Sequence, residues 1–300
     1  MGLCDGRVVI VTGGARGIGR EHSLAFAREG AKVIVNDLGG SADGAGNDAS
    51  PAEVVAGEIR QLGGEAIANG ADVADWEATA GLVSAAIEAF GRLDVVVNNA
   101  GILRDRMFAN TSIEEWDLIM RVHLRGHFCT SRHAAAHWRD RVKAGESVDA
   151  RIINTSSGAG LQGSIGQSNY VAAKAGIAAL TLNQAAELGR YGITANCIAP
   201  SARTRLTEGV FEEMMQHPVE GFDAMDPANI SPLVVWLGSE ASAEITGRCF
   251  EVEGGQISVA DGWRSGPGID KQGRWEPAEV GDAVREVLGK SEAPQKVYGS

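Results

Sequence analysis

Apolar runs that do not alternate with polar residues recur along this chain. They fall at residues 8–11 (Val-Val-Ile-Val), 32–36, 94–97, 151–153 and 193–198, with shorter strand signals at 65–69 and 249–252. A strand with one wet face alternates apolar and polar residues, so unbroken runs suit parallel strands covered on both faces. Between them lie segments of helical length and pattern. One ends at Glu29 before Gly30, one spans 51–62 with Pro51 in its first turn, one spans Trp76–Phe90, and one runs to about Arg190. Strands alternating with helices predict an α/β chain built on a parallel sheet of about seven strands, with helices on both faces. A single domain is expected over 1–300, with its core at about 5–260 and a C-terminal extension at 263–300. That extension should hold a short helix near 277–288 and fray beyond Glu292.

Composition narrows the function classes. The chain has 300 residues, 44% apolar, enough for one large core. A formal charge of −12, with no Lys/Arg-rich run, argues against nucleic acid and against an anionic membrane surface. No signal-type start or long apolar stretch is present. The four cysteines (4, 129, 197 and 249) form no CxxC pair, so they read as reduced thiols in a cytoplasmic protein. No metal site is expected.

The first strand runs into Thr12-Gly13-Gly14-Ala15-Arg16-Gly17-Ile18-Gly19, and a helix follows. Glycines at 13, 17 and 19 let backbone approach a pyrophosphate, which the helix N-terminus then stabilises. The strand–glycine–helix context makes this a dinucleotide site. The second strand ends at Asp37, eighteen residues after Gly19, near the spacing of an acidic ribose ligand. Arg16 would favour a 2′-phosphate and Asp37 would repel it. An exposed ion pair contributes about 0–1 kcal/mol, whereas like charges 4 Å apart cost roughly 4 kcal/mol at an effective dielectric of 20. Asp37 wins, and NAD is the expected coenzyme. Residues 38–50 read as an insertion loop. Asp72-Val73 should flank the adenine, and Asn98-Asn99-Ala100-Gly101 should tie strands together and line the crevice.

The reaction chemistry gathers at 157–174. Tyr170 and Lys174 stand four residues apart, one helical turn on one face, and Ser157 lies thirteen residues before Tyr170 at a strand end. An ammonium beside a phenol favours the phenolate, giving a pair able to move a proton to or from an alcohol oxygen.

With TGGxxGIG, NNAG, Ser157 and YxxxK in this order, the chain resembles the short-chain dehydrogenase/reductase family over about residues 5–260. The resemblance implies a Rossmann-type, doubly wound sheet, Tyr170 as acid/base, Lys174 lowering its pKa and holding the nicotinamide ribose, and Ser157 positioning the substrate oxygen. It places Asn98 on the cofactor-side wall. VNDLGG (35–40), VVVNNAGILRDR (95–106), RVHLRGHF (121–128), GQSNYVAAKAG (166–176) and WLGSE (236–240) look like one branch of that family. The branch comprises the (3R)-hydroxyacyl-CoA dehydrogenase unit of peroxisomal multifunctional β-oxidation enzymes and its stand-alone bacterial relatives. In the wider family an Asn relays protons where His123 stands, so His123 is either a relay or structural residue or a direct proton carrier. The other histidines (22, 127, 133, 137, 217) read as packing or solvated residues. Pro200 and Thr204 keep their family places beside the nicotinamide, while Ser201 replaces a Gly. Residues 203–227, with Arg203, Arg205, Met214 and Met215, are expected to form a mobile substrate lid. The expected activity is NAD-dependent oxidation of a (3R)-3-hydroxyacyl-CoA by a homodimer or homotetramer. The alternatives are a 17β-hydroxysteroid dehydrogenase and a non-catalytic dinucleotide-binding sensor.

Overall fold

The computed structural model describes all residues except 1, 42, 44, 45, 47–49, 205–215, 219 and 299–300. The first strand, β1 (Val8–Thr12), shows why the apolar runs are unbroken. Val9 and Val11 enter one core cluster while Val8 and Ile10 enter a second on the opposite face. The pattern repeats in β2 (Lys32–Asn36), where Val33 and Val35 face one cluster and Ile34 the other, and in β4 (Val95–Asn98). Side chains that alternate across a pleat with apolar layers on both sides leave no polar position to spare.

One layer comprises α1 (Gly17–Arg28), α2 (Ser50–Gln61) and α8 (Ser231–Gly238). The other comprises α3 (Trp76–Phe90), α5 (Gly126–Lys143) and α7 (Ser168–Leu188). Trp138 of α5 is fully buried in that layer and donates its indole N–H to Leu93 O at 2.7 Å. The remaining strands are β3 (Ala66–Asn69), β5 (Ala150–Thr155), β6 (Ile193–Ser201), β7 (Cys249–Glu253) and β8 (Gln256–Ala260). Their order in the sheet is β3-β2-β1-β4-β5-β6-β7-β8. Every pairing is parallel except β7 with β8. Chain order reverses between β1 and β4, and in a doubly wound sheet the ligand crevice opens at the carboxyl ends of the strands flanking that point.

Three details depart from the sequence expectation. The sheet has eight strands, because Glu253-Gly254-Gly255-Gln256 is a hairpin turn rather than the end of the core, with Gly254 at φ 54°. Strand β6 continues to Ser201, carried by pairing of Pro200 with Val252 and of Ser201 with Glu253. The chain beyond Glu292 does not simply fray. After the exposed helix α9 (Pro277–Gly289), Tyr298 donates its N–H to Gly163 O at 2.9 Å and packs at the crevice.

Candidate active site

A cavity of about 670 Å³ opens at the switch point. Of the residues expected there from the sequence, it is lined by Gly13, Arg16, Gly17, Ile18, Gly19, Asp37, Asp72, Val73, Asn99, Ala100, Gly101, His123, Ser157, Tyr170, Lys174, Pro200 and Thr204. The glycines are required by space. A Cβ on Gly19 would sit 2.0 Å from Gly13 O, and one on Gly13, at φ 62°, would sit 2.8 Å from Ala100 Cα. Backbone packed this closely leaves the α1 N-terminus open to an anion, which fits a pyrophosphate. Asn99 holds the arrangement: its Nδ2 donates to Thr12 O at 3.0 Å and to Gly13 O at 3.2 Å.

Asn98 departs from expectation. It is buried and does not face the crevice; its Nδ2 donates to Ser131 Oγ at 2.8 Å and to Asn154 Oδ1 at 2.9 Å. Successive strand residues point to opposite faces, so if Asn99 ties β1, Asn98 must turn toward α5. Asp37 accepts from Ala15 N at 3.2 Å and from Gly39 N at 2.8 Å. Arg16 is held by Gly40 O at 2.8 Å, and Asp72 accepts from Arg121 Nη2 at 2.6 Å.

At the other end of the cavity the reacting groups converge from two helices. Ser157 caps α6 (Gly158–Gln162), its Oγ accepting from Ala159 N at 3.2 Å. The same hydroxyl stands near enough to the Tyr170 phenol to oppose the upward push of burial on it. Lys174 lies one turn along α7, its Nζ 5.5 Å from the Tyr170 ring centre and donating to Thr155 O at 2.7 Å. Burial raises the Tyr170 hydroxyl to about 12, with Ser157 opposing, and lowers the Lys174 ammonium to about 7. The four-residue spacing alone predicts that Lys174 pulls the phenol down. Burial is the largest influence on each group and drives each toward its neutral form.

The family described as short chain dehydrogenase matches residues 7–214. The chain belongs to that family. This dehydrogenase is 42% identical to the hydroxyacyl-CoA dehydrogenase ChsB1 of Mycobacterium tuberculosis, over 97% of this chain and 91% of that protein. It is 48% identical to the peroxisomal multifunctional enzyme type 2 of Mus musculus over 84% of this chain, spanning 32% of the mouse protein. A crystal structure of a short chain dehydrogenase from Mycobacterium avium superposes with a TM-score of 0.91 at 62% identity, covering 100% of both chains. Family membership makes the chain an oxidoreductase acting on CH–OH groups, and the family draws on nicotinamide nucleotides.

In this dehydrogenase His123 sits in a π-helical turn, Arg121–Arg125, between α4 (Ile113–Met120) and α5. Such turns are frequent at functional sites. The imidazole lies edge-on to Tyr170, ring centres 5.2 Å apart, and Gly101 provides the space: a Cβ there would meet His123 Cε1 at 2.6 Å. Its Nε2 lies 2.8 Å from Ile102 O and 3.1 Å from Ile102 N, so both polar groups of that residue's backbone meet one ring nitrogen, while Nδ1 is buried with no partner among the described residues. Burial, with Lys174 nearby, holds its pKa well below 6.5. Burial thus favours the neutral imidazole. His123→Asn is expected to keep activity within about tenfold and to leave the pH–rate profile without a lost step near pH 6–7. A loss of several orders of magnitude with a changed profile would make His123 a proton carrier.

Two features of this dehydrogenase escaped the sequence reading. His127 clamps the same turn, its Nδ1–H donating to His123 O at 2.8 Å while its Nε2 accepts from Thr155 N at 3.3 Å. Tyr298 reaches the cavity from the far end of the chain, its hydroxyl 3.0 Å from Ser201 Oγ and its ring against Gly158, where a Cβ would come within 2.5 Å. The Ser in place of the family Gly thus has a partner. The only cue was an aromatic residue in a polar tail. Of the expected lid, Arg205, Met214 and Met215 lie outside the described residues. Arg203 is buried and pinned, pairing with Asp223 and donating its N–H to Met225 O at 2.7 Å.

Proposed function

We propose that this chain is an NAD-dependent dehydrogenase that oxidises (3R)-3-hydroxyacyl-CoA to 3-oxoacyl-CoA in fatty-acid or sterol side-chain degradation. The observation that carries the reading is the convergence of Ser157, Tyr170 and Lys174 at one end of a dinucleotide-sized cavity whose other end is closed by Asp37. Relatives bearing hydroxyacyl-CoA dehydrogenase and multifunctional-enzyme names support the substrate class. A bound nicotinamide nucleotide would supply hydride exchange and, when oxidised, a positive charge that favours the Tyr170 phenolate. The cradle at Gly13–Gly19 would hold its pyrophosphate, Asp37 its adenosine ribose, and Lys174 its nicotinamide ribose. Tyr170 takes the proton of the substrate hydroxyl, Ser157 holds that oxygen, and Lys174 braces the phenol side. A sensor role would not call for this proton-handling cluster. No described helix is long and apolar enough to cross a membrane. Free cysteines support a reducing, cytoplasmic setting, and a homodimer or homotetramer is the expected assembly.

The test is a kcat/KM comparison of (3R)- and (3S)-3-hydroxyacyl-CoA with a 17β-hydroxysteroid, each with NAD and NADP. The (3R) thioester with NAD is expected to win. Ser157 and Tyr170 would fix the oxygen while a bound nicotinamide would approach the carbon from one side, and misplacement by about 1 Å can cost 10²-fold. Each methylene gained or lost in the tail should change kcat/KM by about 1–3 kcal/mol at most. Asp37→Ala should narrow the gap between coenzymes. A faster free steroid, a (3S) preference or an NADP preference would each overturn the corresponding part of the reading.

A further inference from the structure

The residues just before Tyr170 are tied to the loop after β4 more firmly than the catalytic groups require. Arg106 N donates to Gly166 O at 2.7 Å, and Asn169 Nδ2 donates to Arg104 O at 3.1 Å. Asn169 Oδ1 in turn accepts from Tyr170 N at 2.7 Å. Between these two clamps, Gln167 Nε2 donates to Asp105 Oδ2 at 2.9 Å. Gln167 is 5% exposed, precedes the first turn of α7, and lines the cavity three residues from Tyr170. Asp105 does not line the cavity; its other oxygen is buried with no partner among the described residues.

The pair fixes an orientation that an amide alone leaves open. A carboxylate can only accept, so it draws the NH₂ of Gln167 toward itself and turns the carbonyl oxygen away. That oxygen accepts no hydrogen bond from the described residues, although Gln167 faces the reaction cavity. The same cavity is lined by the apolar residues Ile102, Leu103, Leu118 and Val122. A pocket with apolar lining and an oriented acceptor three residues from Tyr170 is suited to read a donor on the substrate. An acyl chain has no such donor. The arm beyond a thioester has one, the first amide N–H of its cysteamine unit, a few bonds from the carbon oxidised.

We propose that Gln167 is a substrate-positioning residue whose side-chain oxygen accepts the first amide N–H of the thioester arm, with Asp105 fixing the orientation of the Gln167 amide. The proposal rests on the acyl-CoA reading above and specifies how that substrate is gripped. Its effect falls on the thioester arm, leaving the tail free to vary.

The test uses two small (3R)-3-hydroxybutyryl thioesters, one of N-acetylcysteamine and one of butanethiol, which lacks the amide. Assays run at mildly alkaline pH, where Asp105 is ionised despite the upward push of burial on its carboxyl. Gln167→Met, similar in length but without the acceptor, should lower kcat/KM for the N-acetylcysteamine ester about tenfold, chiefly through KM, and leave the butyl ester within about twofold. Asp105→Asn should give a smaller loss on the amide-bearing ester alone, since Asn can present either a donor or an acceptor to Gln167. NAD affinity should be unchanged in both variants, which also establishes that they fold; if Gln167→Met does not, Asp105→Asn still decides. Equal losses on both esters, or none on either, would overturn the role of Gln167. Failure of the wild-type enzyme to oxidise either ester would instead overturn the acyl-thioester reading, and this proposal with it.

Discussion

Tyr170→Phe is expected to lower oxidation of the alcohol by at least 10²-fold while leaving coenzyme affinity close to wild type. The substitution removes one oxygen from a ring that stays packed against His123 and keeps its place over Lys174. General acid–base steps supply about 10²–10⁴-fold, and no other described group is positioned to replace this one. Ser157 is a hydroxyl with no base of its own, and His123 Nε2 is engaged by the Ile102 backbone. The wild-type profile adds a second signature. Burial pushes the phenol up to about 12, and only the ionised phenol accepts a proton, so the oxidation rate should climb toward alkaline pH. Residual activity in Tyr170→Phe should lack that climb. Retention of more than about a tenth of the activity would exclude Tyr170 as the base. A loss confined to coenzyme affinity would make it a cofactor ligand instead.

The parts of the fold and site that the sequence displays are those with a period or a spacing. Val8 to Val11 announces a strand covered on both faces because each side chain meets an apolar layer. Gly13 and Gly19 announce the cradle because the backbone contacts there admit no Cβ. Tyr170 and Lys174 announce themselves by one helical turn. The missed features depend on contacts between segments far apart in sequence. Tyr298 meets Ser201 across 97 residues, and Gln167 meets Asp105 across 62, and neither pairing leaves a local pattern. The direction of the Tyr170 shift was misread for a related reason. Spacing shows that a lysine is near, but the degree of burial, which sets the dielectric, emerges only when β5, α5 and α7 close around the pair. His127 carried a cue that went unused: four residues after His123, it lies one helical turn along.

Lys174→Met should reduce kcat/KM by more than about 10²-fold and weaken coenzyme binding, while removing a charge that the fold itself holds at a cost. Lys174 is 3% exposed, and burial lowers its pKa to about 7 against about 10.4 for a free lysine. The unfolded chain keeps that proton up to about pH 10.4, whereas the folded protein releases it near 7. Between those limits the unfolded state binds more protons, so wild-type stability rises with pH relative to the variant, at up to about 1.4 kcal/mol per pH unit. Below about pH 7 both states hold the proton and the slope vanishes, leaving the full penalty on the wild type. Met is a near match in length and needs no hydration, so part of that penalty returns as stability at pH 7. Loss of the hydrogen bond to Thr155 O, worth about 1 kcal/mol, offsets some of it. Urea unfolding of both coenzyme-free proteins at several pH values, taken as a difference, cancels the groups they share. The difference should move in favour of wild type as pH rises from about 7. A flat difference would mean that Lys174 keeps its charge in the folded protein, and the phenol would then face a full ammonium before any coenzyme arrives.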